Sequence, residues 1–193
     1  MRQMRGPLIS VVLLVWLAGC AGQSSLKSVE VLDDRTGMTV GALKEPIELV
    51  AGTQNAVLVS RKHMSFAYLG PVEWNRSGTL SYGLWVHIAP GIDQQPGDIH
   101  APAAVALILD DGPLALTLIE APRLGNDPYR QVVSWGQTAY FGLDVENLKR
   151  MAGSRKLELE VRAPGASSAR FASTSDSGAI LTQYLRSRGL TGD

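Results

Sequence analysis

The sequence predicts a mainly β protein, a β-sandwich or open barrel of about ten strands with two short helices. Three observations carry that expectation. Apolar and polar residues alternate with period two in several short segments, most clearly Thr79 to Ile88. Twenty glycines and ten prolines in 193 residues supply frequent turns between such segments. Helical periodicity is confined to two brief stretches near the C-terminus. Apolar residues make up 45%, enough for one core, and charged residues 19% with no net charge. Such a balance excludes a disordered chain and gives no positive surplus for nucleic acid. A single cysteine excludes disulfide frameworks, four-cysteine zinc sites and iron–sulfur clusters.

Taken in order, the chain opens with Arg2 and Arg5, then an apolar run from Leu8 to Ala18, with no acidic residue before Glu30. Eleven residues are too few to span a hydrocarbon core, which takes about 20, so the run reads as the apolar region of a secretory signal. It ends in Leu17-Ala18-Gly19-Cys20. This tetrapeptide resembles the lipobox of bacterial lipoproteins: an aliphatic residue, two small residues and a cysteine. The resemblance implies a signal peptide over 1–19, a diacylglyceryl group on the Cys20 sulfur, cleavage before Cys20 and palmitate-type acylation of the new amino terminus as well. A thiolate is the nucleophile such lipid transfer requires. No other cofactor is expected. The mature chain carries sixteen Lys and Arg against eighteen Asp and Glu, a net charge of about −2. Ala21 rather than Asp follows the cysteine, which in family terms favours the outer membrane, with the domain facing the periplasm. Residues 20–28 form a lipidated tether, and eight extended residues reach about 25–30 Å.

Residues 29–193 form a single β-rich domain. Val29 and Val31 alternate with polar neighbours before the turn at 33–37. Short strands follow at 46–50 and 56–60. Residues 63–68 place Met64, Phe66 and Tyr68 on one face, and 75–78 form a hairpin loop into the long strand at 79–88. If Leu84, Val86 and Ile88 share that core face, even residues pair with even, and Trp85 and His87 lie outward. Residues 104–109 form a central strand, Asp111-Gly112 a hairpin, and Leu114, Leu116 and Leu118 return on one face. Segments 130–135 and 137–143 pair around Gly136. In 156–162, Leu157, Leu159 and Val161 face inward and Glu158 and Glu160 face water. Asp144 caps a helix ending at Gly153, and Asp176 or Ser175 caps another ending before Gly189.

No phosphate loop, dinucleotide fingerprint or His-Glu-x-x-His motif is present. Ser81-x-Gly83 lacks the glycine a nucleophile elbow needs, because Thr79 holds that position. Asp110-Asp111 reads as turn residues, and Glu73-Trp74 as part of a polar connection from 71 to 78. No enzymatic activity is expected. The one candidate binding region is the end of the long hairpin, where an outward His63, Trp85 and His87 meet a fifteen-residue loop, 89–103, bearing Asp93, Asp98 and His100. The spacing matches no established metal motif, so no metal site is assigned. The expected function is that of a lipid-anchored, non-enzymatic component of the bacterial cell envelope that binds or assembles with another protein. The alternative is a module for a small ligand, metal or glycan built on the Trp85/His87 face and the 89–103 loop.

Overall fold

The computed structural model describes residues 28–52, 64–91, 99, 105–162 and 168–191. Its elements in order are β1 (Ser28–Asp33), β2 (Met38–Leu43), β3 (Ile47–Ala51), β4 (Phe66–Arg76), β5 (Thr79–Ala89), β6 (Val105–Leu109), β7 (Gly112–Leu116), β8 (Leu118–Ile119), β9 (Gln137–Gly142), α1 (Val145–Gly153), β10 (Glu158–Val161), β11 (Ala169–Ser173) and α2 (Ser177–Ser187). The leader, the tether up to residue 27 and the expected strand at 56–60 lie outside the described residues.

All strand pairs are antiparallel, in the order β7-β6-β10-β11-β3-β4-β5-β9-β8. The two ends of this path are separated in sequence by Thr117 alone. One segment, 112–119, therefore pairs with β6 at its start and with β9 at its end, and the sheet bends into a nearly closed barrel. That is the barrel side of the expected fold class. Full closure is the arrangement that leaves no sheet edge. Among the described strands one edge nevertheless survives. β4 is long enough to pair β3 over its first half and β2 over its second, and β2 carries β1 beyond the barrel.

Inside, cross-strand rows of apolar residues stack, as in Ile47, Leu69, Val86 and Ala139, or Leu107, Leu159 and Phe171. They belong to one contiguous buried cluster. The two helices pack against each other and contribute Leu148, Met151, Leu181, Tyr184 and Leu185 to that cluster. Their starts follow the local signals: Asp144 accepts a hydrogen bond from Asn147 N–H, and Asp176 from Ala179 N–H. At the 33–37 turn, the Asp33 carboxylate accepts from Arg35 and Thr36 N–H and from Gly125 N–H in a distant loop.

Several expectations are corrected. β2 and β11 are strands that the alternation did not single out. Residues 130–135 form no strand, because this segment serves to carry Tyr129 and Gly136 onto the outside of the barrel. β4 continues to Arg76, so Glu73 and Trp74 are buried strand residues rather than part of a polar connection. Glu160 is buried, with its carboxylate bonded to Arg162 and Arg170. The hairpin turn is the two-residue pair Ser77-Gly78, both at positive φ (51° and 90°), which matches the twist of the strands it joins. That turn pairs Phe66 with Ala89 and Tyr68 with His87, so even residues face odd ones. Such an odd shift moves Trp85 and His87 onto the face of Tyr68.

Candidate functional site

Among the residues expected to bind, Cys20, His63, Asp93, Asp98 and His100 lie outside the described residues. Trp85 and His87 are described, and the structure corrects their expected outward exposure: both are 0% exposed. They do face away from the barrel interior, but a second layer covers them. Residues 120–136 cross the outside of β4, β5 and β9, and Tyr129 is their central contact. Its ring lies directly over Gly70, where a Cβ would stand 2.2 Å from Cε2. Its hydroxyl donates to Pro71 C=O and accepts from Leu43 N–H, each at 2.9 Å. Burial pushes the phenol well above its ordinary pKa.

A line of rings results on this covered face. Centroids are 6.4 Å apart for Phe66 and Tyr68, 6.2 Å for Tyr68 and His87, 5.6 Å for His87 and Trp85, and 5.0 Å for Trp85 and Tyr129. Glycines act as seats: Trp74 lies over Gly83, and the imidazole of His87 over Gly136. His87 Nδ1 is 2.8 Å from Thr138 Oγ1, a distance at which a hydroxyl nucleophile and its base could meet. No acidic side chain orients this imidazole among its described contacts, and no described cavity is lined by either residue. The pair reads as a buried polar contact that sets the ring's orientation. Nε2 of His87 and Nε1 of Trp85 have no hydrogen-bond partner among the described residues. Burial lowers the His87 pKa.

A charged cluster lies on the inner side of the sheet. Glu30, Gly41, Glu73 and Tyr82 form one cross-strand row through β1, β2, β4 and β5. Arg188, at the end of α2, lies across Gly41, whose missing side chain leaves room for the guanidinium. Its NH1 donates to Glu30 at 2.7 Å and its NH2 to Glu73. Glu73 and Arg188 are largely buried, so their charges compensate one another out of water. Asp110 and Asp111 serve structure as well: Asp110 accepts from Arg155 N–H, and Asp111 takes two bonds from Arg150. No group of three His, Cys, Asp or Glu among the described residues is placed to hold a metal ion.

One accessible apolar feature is at β1. Val31 and Leu32 are 52% and 61% exposed although both are large and apolar. Val29, Val31, Val40 and Ala42 floor a pocket of about 110 Å³ walled by Asn126, Asp127 and Pro128. The sequence signal for it was the absence of Lys and Pro in 28–33, residues that ordinarily blunt an edge strand. No protein-family model, no curated protein and no solved structure matches the chain.

Proposed function

We propose that this protein is a lipid-anchored component of the bacterial cell envelope whose barrel binds or helps assemble another protein and catalyses no reaction. The observation that carries the reading is the run Leu17-Ala18-Gly19-Cys20 directly after a basic start and an eleven-residue apolar core. Two or three acyl chains at Cys20 give a stable anchor, since each buried CH₂ contributes about 0.8 kcal/mol. The lack of Asp after Cys20 favours the outer membrane and a periplasmic barrel. In support of binding rather than chemistry, the buried Glu73, Glu160, Ser154 and Tyr129 are each bonded within the fold, and the exposed Val31 and Leu32 sit on a strand whose outer edge has no described strand partner. Mass spectrometry of the mature protein tests the anchor. A diacylglyceryl mass on Cys20 is expected, and Cys20→Ser should release an unlipidated chain from membranes. An unmodified Cys20 in the wild type overturns the reading.

A further inference from the structure

β1 pairs with β2 on one side and with no described strand on the other, so the backbone N–H and C=O groups of its outer edge have no strand partner among the described residues. Among the described strands the path is otherwise closed by the 112–119 segment, and residues 28–33 of this edge carry no lysine, proline or bulge. The pocket adjoins that edge. Its floor is the face of β1 that bears Val29 and Val31, so a strand laid beside β1 would send alternate side chains over it. A cavity of 150 Å³ admits benzene, so about 110 Å³ suits an aliphatic side chain.

Charge selects the occupant. The exposed carboxylates beside the edge, Glu30, Asp34 and Asp127, outnumber Arg35 among the described residues, while Arg188 is already held between Glu30 and Glu73. A second copy of the chain fits poorly. Antiparallel pairing of β1 with itself about a two-fold axis must join residues of equal parity. Centring on Glu30 opposes two carboxylates, on Val31 opposes Val29 to Asp33, and on Leu32 opposes Val31 to Asp33; within 28–33 none brings opposite charges together.

We propose that the β1 edge and its pocket receive an extended, positively charged segment of another envelope protein, which adds a strand beside β1 and seats a valine- or leucine-sized side chain over Val29 and Val31. The proposal rests on the reading of the chain as an anchored binding component and supplies that reading with a site and a partner chemistry. With the anchor at Cys20, the seven residues between it and β1 reach at most about 23–25 Å, so the partner segment lies near the membrane surface.

The test uses the full chain in mild detergent and fluorescent peptides of alternating valine and lysine, valine and glutamate, and valine and lysine with alternate backbone amides methylated. Anisotropy should show the lysine peptide binding at least tenfold tighter than the other two. Hydrogen exchange should slow at 28–33 on binding, and Val31→Lys with Leu32→Lys should weaken binding at least tenfold without altering the fold, since both side chains are exposed. Failure of the lysine peptide to bind, equal binding of the methylated peptide, or an unaffected double variant overturns the proposal. So does a wild-type dimer that the double variant dissolves, which would make a second copy the occupant. The mass of Cys20 on the same preparation separates the two readings: an unmodified cysteine with intact peptide binding removes the envelope anchor and keeps the edge site, whereas a lipidated chain that binds no peptide removes the edge site alone.

Discussion

The imidazole of His87 is enclosed by Tyr68, Trp85 and Gly136, and burial lowers its pKa from the ordinary value of 6.5. In the unfolded chain it titrates near about 6.5. Between the lowered folded value and that point the unfolded state binds more protons, so stability falls as pH drops through the window and is undiminished above it. Thermal unfolding measured from about pH 7.5 to 5.5 should therefore show a falling Tm. His87→Phe, which keeps a ring between Tyr68 and Trp85, should flatten that slope. An unchanged slope in His87→Phe contradicts the assignment. Residue type alone could not reveal this burial, because a histidine beside a tryptophan on an alternating strand looks the same whether water or Tyr129 and its loop covers the face.

Strand β5 was the element most legible from its pattern, and its two ends behave differently. Leu84 is fully enclosed and pairs with Phe141, whereas Ser81 lies near the hairpin tip and is exposed. Leu84→Asp buries an unpaired carboxylate and should cost more than about 3 kcal/mol, whereas Ser81→Asp should stay within about 0.5 kcal/mol. Urea denaturation of the two variants checks this, and equal midpoints would refute the assigned faces. The helices were equally legible, because Asp144 and Asp176 act on N–H groups three residues away. β2 and β11 were not. In β2 the alternation is broken by Gly41, which is small because Arg188 occupies the space above it. In β11 Phe171 is the single large apolar residue. Residues 130–135 misled in the opposite direction: Val132 and Trp135 suit a strand, yet both are exposed on a covering loop.

At the scale of the whole molecule, the ends of the described chain meet through Arg188, which joins α2 to β1 and β4. Removing it leaves Glu73 buried without a counter-charge, and Arg188→Ala should destabilise by about 3–5 kcal/mol. Replacing both partners, Arg188→Met with Glu73→Leu, should recover most of that loss, because it removes the isolated charge as well as the pair. A double variant as unstable as the single in urea would show that the guanidinium acts through packing on Gly41 instead.

What the sequence determined by itself was local: strand and helix periodicity, the capping aspartates, the turn at 33–37, and a mainly β composition of the right size for one core. Each depends on residues within a few positions of one another, so their order in the chain carries the information. The lipobox is local too, and the anchor proposed from it rests on that sequence alone. The tertiary structure decided which faces are covered, how the sheet closes and where it stays open. A turn centred between Ser77 and Gly78 pairs even residues with odd ones along the whole β4–β5 hairpin, against the shared core face that alternation suggested. Closure depends on one segment reaching β6 and β9 together. The Arg188–Glu73 contact spans 115 residues. These outcomes follow from contacts between distant segments, and alternation within a strand tells apart its two faces without saying what packs on either.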